Sequence, residues 1–148
     1  MKLSTRARYG TRALLDLGMN KSGEPVQLRD IARRQGISLS YLEHLITPLV
    51  ASGFIRSARG SRGGVWLAKP PEQIRLIEVV ELLEGSIMLV ECLSDPSVCP
   101  RSGYCATQDI WCEMARAMAK VLESTTLRDL VERQRGKPSP GDKPMYFI

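Results

Sequence analysis

LRDIARRQGISLSYLEHLITPLVASGFIRSARGSRGGVWLA, residues 28–68, is the stretch that decides the fold. Its first half predicts a short helix over 28–35 and a second helix over about 39–52, because apolar residues recur at helical spacing in both. Gly36 lies between them and supplies a tight turn. Two helices joined in this way form a helix-turn-helix.

The second half of the stretch predicts a β-hairpin directly after the second helix. Residues 53–56 lead into a strand, the glycine-rich residues 59–64 form a tip, and residues 65–68 return as the partner strand. A helix-turn-helix continued by such a hairpin is a winged helix-turn-helix. We therefore predict a mostly α fold with a small β-hairpin wing.

Further elements are predicted on both sides of this unit, since apolar residues recur there at helical spacing as well. The longest of these helices carries a wide apolar stripe, which favours a dimerisation helix, with packing inside the chain as the alternative. The predicted elements are helices over 4–20, 74–83, 106–124 and 127–135, a short strand at Val26 and a loop over 89–105.

Charge is concentrated in the winged unit. Residues 1–69 hold 12 Lys+Arg against 4 Asp+Glu, a net of +8, whereas residues 87–148 hold 8 of each. A basic half joined to a neutral remainder is typical of a protein that binds nucleic-acid phosphates. The second helix of the helix-turn-helix should then enter the major groove, with the wing on an adjacent minor groove or on phosphates.

The residues that would contact DNA follow from this geometry. Hydroxyls at the start of the second helix suit phosphate or base contacts, and arginines beside glycines at the wing tip can approach the duplex closely. Glu43 would accept a hydrogen bond from cytosine N4. Its alternative is a capping box with Ser40. The predicted DNA-binding set is Arg8, Leu28, Ser38, Ser40, Tyr41, Glu43, His44, Arg59 and Arg62.

Four cysteines, Cys92, Cys99, Cys105 and Cys112, follow the winged unit. Structural zinc sites usually contain cysteine pairs two to four residues apart, and this spacing is wider. It favours an iron–sulfur cluster, either [2Fe–2S] or [4Fe–4S]. Zinc binding, thiol switching and uncoordinated cysteines are the alternatives. Cys112 flanks the apolar stripe of its helix, which favours a buried apolar thiol at that position.

Other classes of function find no support in the sequence. The single histidine, His44, leaves no Ser/His/Asp or Cys/His set for nucleophilic catalysis, and no phosphate loop is present. We expect neither an enzyme nor a small-molecule substrate. No run of about 20 apolar residues and no signal core occur, so we expect no membrane partner and a cytoplasmic location. Cysteines in a reducing compartment favour metal binding or redox sensing.

Three segments carry a resemblance to a known family. They are MKLST (1–5) with Arg8 and Tyr9, QGISLSYLE (35–43), and the wing pattern Arg59-Gly60-x-x-Gly63-Gly64. On these segments the chain resembles the winged-helix iron–sulfur transcriptional regulators that include IscR, NsrR and RirA, and the cluster-free CymR. The resemblance implies a homodimer that binds palindromic double-stranded DNA. It also implies base reading by the start of the second helix and minor-groove entry by Arg59.

The resemblance extends to the metal ligands only in part. Cys92, Cys99 and Cys105 match the three cluster cysteines of the family. IscR-like members have a histidine three residues after the third cysteine, where this chain has Gln108. NsrR-like members can use a carboxylate in the first helix of the partner, where this chain has Arg8. Cys112, Gln108 or an external ligand are the candidates for the fourth position.

These inferences give one functional hypothesis and a rival. The hypothesis is a DNA-binding repressor or dual regulator tuned by a cluster that senses iron, redox state or nitric oxide. The rival is a winged helix that binds protein and is stabilised by metal or thiols. The predicted domains are a winged-helix DNA-binding domain over 1–86, a cysteine-bearing cluster loop over 87–105, a dimerisation helix with a short terminal helix over 106–135, and a flexible tail over 136–148.

Overall fold

The computed structural model describes residues 2–138, so most of the predicted tail lies outside the described residues. Helices α1 to α3 precede the two-stranded wing along the chain, and α4 to α7 follow it. Single turns of 3-10 helix lie at Pro71–Gln73 and Pro96–Val98. The elements are α1 (Thr5–Met19), α2 (Leu28–Gln35), α3 (Leu39–Ala51), β1 (Ile55–Ala58), β2 (Gly64–Leu67), α4 (Leu76–Glu84), α5 (Glu91–Ser94), α6 (Ala106–Ser124) and α7 (Leu127–Arg135).

The helix-turn-helix begins and ends where the sequence predicts. Gly36 adopts a left-handed conformation with φ of +65°, which ends α2 and turns the chain toward α3. Ser38 then caps α3, because its hydroxyl accepts a hydrogen bond from the backbone N–H of Tyr41 at 3.1 Å. The inner face of α3 is buried as expected, through Leu42, Leu45, Ile46 and Leu49.

The wing is an antiparallel hairpin in which Ile55 pairs with Leu67 and Ala58 pairs with Gly64. Val26 adds one further bridge, since its N–H and carbonyl both bond to Val65, at 2.9 and 2.8 Å. Where the sequence predicts a short strand, Val26 thus forms a single β-bridge. A side chain at Gly64 would collide with the carbonyl of Val26, so the close pairing depends on this glycine.

Helix α1 lies at the centre of the core. Ser4 caps its first turn, and its buried face packs against α4 and α7. Gly10 permits the contact with α4, because a methyl group there would collide with Leu83. The backbone N–H of Ser4 also donates to both carboxylate oxygens of Glu84, at 3.0 and 3.2 Å, which ties the start of α1 to the end of α4.

The end of the described chain returns to this core. Leu127 and Val131 of α7 are buried, and they pack against Gly18 of α1. Two backbone hydrogen bonds join the same region, from Leu127 N–H to Ile74 and from Leu76 N–H to Thr125. Helix α7 thus packs with the winged unit, although the sequence groups it with the dimerisation helix.

Two local expectations were wrong. The helix predicted over 74–83 begins at Leu76, because Ile74 extends from a 3-10 turn and is buried in the core. The segment predicted as a loop over 89–105 contains α5 and a 3-10 turn. In the described part of the chain, no helix is both long enough and apolar enough to cross a membrane.

Candidate nucleic-acid interface and cysteine segment

The first turns of α3 present polar side chains to solvent. Ser38, Ser40, Glu43 and His44 are exposed, and Tyr41 is half-buried. The cap of α3 is Ser38, and Ser40 lies inside the helix, so the capping-box role considered for Glu43 is wrong. The carboxylate of Glu43 is left pointing outward on a basic unit.

Helix α1 contributes an aromatic and cationic cluster beside α3. The rings of Tyr9 and Tyr41 meet edge to face, with centroids 6.3 Å apart and an interplanar angle of 84°. The guanidinium groups of Arg12 and Arg8 lie 5.0 and 5.7 Å from the centre of the Tyr9 ring. Arg8 is therefore near the predicted reading helix, as its assignment to the DNA-binding set requires.

The wing tip presents Arg59 and Arg62 on either side of an exposed turn. Gly60 has a φ of +107°, and the turn closes with a 3.0 Å hydrogen bond from Gly63 N–H to the Gly60 carbonyl. The Gln27 amide donates to the Gly63 carbonyl at 3.0 Å, which connects the tip to the start of α2. Both arginines are exposed.

Leu28 is the first residue of α2, and its side chain packs against the core instead of facing outward. A contact between this side chain and DNA is therefore not supported. Its backbone N–H remains suited to a phosphate, because Gln27 provides no side-chain cap for α2 and helix N-termini attract anions.

The cations of this face are not neutralised by neighbouring carboxylates. Among the described residues the salt bridges are Arg33–Asp30, Arg34–Asp16 and Arg128–Glu132. None of them involves Arg8, Arg59 or Arg62. Positive charge without an internal partner is what a phosphate backbone attracts most strongly.

The cysteines are distributed over short elements. Cys92 lies in α5, Cys99 follows the second 3-10 turn, Cys105 caps α6 and Cys112 lies within α6. All four are half-buried free thiols. Within residues 2–138, no three His, Cys, Asp or Glu side chains lie close enough together to hold a metal ion. The donor chemistry suits iron–sulfur ligation, but this arrangement does not gather the donors into a site.

The surroundings of Cys105 favour the thiolate form of its side chain. The hydroxyl of Thr107 lies 3.1 Å from its sulfur. This hydrogen bond lowers the pKa of the Cys105 thiol, and the backbone N–H of Gln108 and the charge of Arg101 act in the same direction. Thiolate is the form that binds metals and reacts with oxidants.

Gln108 holds the cysteine segment against α6. Its amide nitrogen donates to the carbonyl of Cys92 at 2.9 Å and to the hydroxyl of Ser102 at 3.1 Å. Its amide oxygen accepts from the N–H of Gly103 at 3.4 Å. From the sequence, Gln108 stood out as a departure from a histidine ligand. Its hydrogen bond to Cys92, sixteen residues away, could not be predicted, because such a contact does not appear in the spacing of apolar residues.

Part of the apolar stripe of α6 remains exposed. Ile110 is 52% exposed, Trp111 39% and Val121 63%, and Ala115 is the one buried residue of this helix. Packing inside the chain therefore covers only part of the stripe. Met118 and Leu122 instead line an open groove of about 320 Å³ beside the end of α4.

Comparison with known proteins agrees with this architecture. A family model described as "Rrf2: Iron-dependent Transcriptional regulator" matches residues 3–133. The chain is 49% identical over 131 residues to protein rrf2 of Nitratidesulfovibrio vulgaris, covering 88% of this chain and 87% of that protein. It is 37% identical over 134 residues to the regulator IscR of Cronobacter sakazakii, covering 90% and 82%.

Solved structures show the same fold. CymR, the global cysteine regulator of B. subtilis, superposes with a TM-score of 0.77 at 34% identity, covering 90% of this chain and 98% of that one. IscR of T. potens gives 0.76 at 32% identity, covering 99% and 97%. The IscR of Cronobacter sakazakii and the CymR of B. subtilis are named as regulators and not as enzymes, and the predicted winged helix is confirmed. The chain belongs to the Rrf2 family of transcriptional regulators.

Proposed function

We propose that this chain acts as a cytoplasmic homodimer that binds palindromic operator DNA, with an iron–sulfur cluster tuning that binding. One observation carries the DNA part of the proposal. The exposed first turns of α3 belong to the same winged unit as Arg8, Arg59 and Arg62, and none of these three arginines is in a salt bridge among the described residues. That combination serves duplex binding better than it serves a protein partner.

The DNA-binding residues divide by chemistry. Ser40 and Glu43 would read base edges in the major groove, and Arg59 would enter the minor groove. The remaining members would contact phosphates and fix the register of the protein on the duplex. These are Arg8, Ser38, Tyr41, His44 and Arg62 through their side chains, and Leu28 through its backbone N–H.

Selection from a random duplex pool tests this assignment, followed by titration of the selected duplex and a scrambled one across a range of salt concentrations. A DNA reader should recover an inverted repeat and weaken steeply with salt, because bound cations release counterions from DNA. A winged helix that binds protein would show neither a preferred sequence nor a steep salt dependence.

The homodimer is proposed from the exposed stripe of α6, since an apolar face of this size on one helix favours burial against a second copy. Sedimentation equilibrium of Trp111→Glu should show a shift from dimer toward monomer. Lys120→Glu, a charge change at an exposed position of the same helix, is the matched control and should stay dimeric. Two dimeric variants would contradict this interface.

The cluster is proposed on donor chemistry. Cys92, Cys99 and Cys105 would hold it, and the group would supply sensitivity to iron, redox state or nitric oxide. Because these thiols are not gathered in the structure, the segment over 87–105 has to rearrange on loading. Anaerobic purification with iron and sulfide analysis tests the proposal, with Cys112→Ala alongside. A colourless, iron-free protein would remove the cluster and leave DNA binding intact.

The second candidate is a cluster-free regulator that works through thiols or zinc. It is favoured by the likeness to a structure of Staphylococcus aureus CymR described as an oxidised form. That structure superposes with a TM-score of 0.72 at 36% identity, covering 89% of this chain and 97% of that one. Mass spectrometry of protein purified under native, non-reducing conditions separates the candidates, because a disulfide removes two hydrogens and bound zinc is detected directly.

A further inference from the structure

Side chains of helix α1 contact both helices of the helix-turn-helix. One contact lies on α3, after the glycine turn, and the other lies on α2, before it. The first contact is on α3, where Tyr9 meets Tyr41. The second is on the last residue of α2, Gln35, immediately before Gly36. The segment between these contacts contains Ser38, whose hydroxyl starts the reading helix.

The first contact fixes a ring that belongs to the reading turn. Tyr41 is the third residue of α3, and its N–H is the one that Ser38 caps. Its ring stands nearly perpendicular to that of Tyr9, an edge-to-face arrangement that aromatic pairs prefer. The guanidinium group of Arg12 lies over the Tyr9 ring, and this cation–π contact limits the movement of the ring.

The second contact is a chain of hydrogen bonds centred on Gln35. Its amide oxygen accepts from Arg12 Nε at 2.8 Å, and its amide nitrogen donates to Asp16 at 3.0 Å. Asp16 also accepts from Arg34, and its side chain is only 7% exposed. Because Arg12 and Asp16 are both on α1, the side chain of Gln35 bridges two successive turns of that helix.

We propose that Tyr9 and Gln35 are positioning residues that set the angle of α3 in the major groove, and that they determine sequence specificity without touching a base. This inference rests on the proposed DNA-binding function. Hydrogen bonds from Ser40 and Glu43 to base edges depend steeply on angle and distance. Phosphate contacts tolerate small rotations better, because long arginine side chains can follow the backbone.

Neither residue carries charge, which makes the proposal separable from direct phosphate binding. Losing a cation that contacts a phosphate lowers the slope of affinity against salt by about 1 and leaves sequence preference largely unchanged. Loosening the reading helix should do the opposite. The ratio of affinities for selected and scrambled duplex would fall, and the salt slope would stay the same.

The experiment compares Tyr9→Leu, Tyr9→Phe and Gln35→Leu with wild-type protein by titration of the selected and scrambled duplexes at several salt concentrations. We expect Tyr9→Leu and Gln35→Leu to lower the specificity ratio about tenfold, the low end of the range for one lost base contact. Tyr9→Phe keeps the ring and should behave as wild type. Arg8→Gln is the control, for which we expect a lower salt slope with specificity retained.

Three results would overturn the inference. Equal losses for Tyr9→Phe and Tyr9→Leu would assign the hydroxyl to direct DNA contact. An unchanged specificity ratio in Gln35→Leu and Tyr9→Leu would show that the angle of α3 does not depend on these two side chains. Proportional losses on both duplexes, together with a lowered thermal midpoint, would reduce both residues to general stability. A wild-type protein with no sequence preference would overturn the proposed function itself, a result distinct from any of these.

Discussion

Glu43 is an exposed carboxylate in a unit rich in uncompensated cations, and this setting narrows what it can do. Phosphates repel it, so a position in the groove is favourable only where a donor such as cytosine N4 faces it. Capping is excluded because Ser38 already binds the N–H of Tyr41. Base discrimination is the role we propose for it.

We therefore predict that Glu43→Ala relaxes preference at one base pair of the half-site, by about 1–3 kcal/mol, without abolishing general affinity. Competition titrations against duplexes substituted at each position measure this. Arg59→Ala is the matched comparison, and it should weaken binding to all sequences more evenly. Preference at every position unchanged in Glu43→Ala would count against a base contact.

At the scale of elements, the cysteine segment is connected to α6 through hydrogen bonds of Gln108. The three hydrogen bonds of Gln108 connect α5, the turn around Ser102 and the first turn of α6. Both ends of its amide are thereby occupied. In this arrangement Gln108 connects the cysteine segment to α6, and a role as fourth ligand would use the amide oxygen that here accepts from Gly103.

Loss of these hydrogen bonds should loosen the segment. In metal-free protein, Gln108→Ala should raise the hydrogen-exchange rate of backbone amides over 92–103 severalfold, because local opening no longer breaks the side-chain bonds. Glu113→Ala, at an exposed position of the same helix, should leave these rates unchanged. Equal rates in wild type and Gln108→Ala would show that other contacts order the segment.

Helix α7 begins with a capping box that contains a titratable carboxyl group, Asp129. Asp129 accepts hydrogen bonds from the backbone N–H and the hydroxyl of Thr126, at 2.7 and 2.8 Å, and these bonds lower the pKa of Asp129. A carboxyl with a lowered pKa stabilises the fold above its unfolded pKa. That contribution is lost as the pH falls through the folded value.

Thermal midpoints measured from neutral to acidic pH should therefore show a shallower acid decline in Asp129→Asn than in wild type. The variant should be less stable at neutral pH, and the two proteins should converge at acidic pH, where the wild-type carboxyl is protonated. Parallel curves would indicate that the capping box contributes nothing to the pH dependence.

At the scale of the whole molecule, local sequence patterns predicted the bounds of the helices better than they predicted which helices pack together. Gly36 and the period of α3 placed the helix-turn-helix correctly because a left-handed turn needs glycine and one buried stripe needs a regular period. The bounds of α6 and α7 were predicted equally well. What periodicity cannot say is which element covers an apolar face. The return of α7 to α1 and the hydrogen bonds of Gln108 were therefore missed.

The return of α7 predicts that stability is shared across the chain. Leu127 is completely buried in the winged-helix core, so Leu127→Ala should destabilise the whole protein by about 2–5 kcal/mol. Arg133→Ala, at an exposed position of the same helix, should change stability by less than about 0.5 kcal/mol. Chemical denaturation followed by tryptophan fluorescence measures both. A change confined to local fraying of α7 would contradict this shared core.

Burial of Leu127 beneath α1 also bears on how the protein is made. A ribosome synthesises from the amino end, so the reading head emerges long before the residue that completes its interior. Prematurely terminated chains would lack that residue and would be open to proteolysis. The cell would then rarely contain fragments that keep the reading head but lack the cysteines. Under the proposed function, such fragments would bind operators and could not be released by a signal.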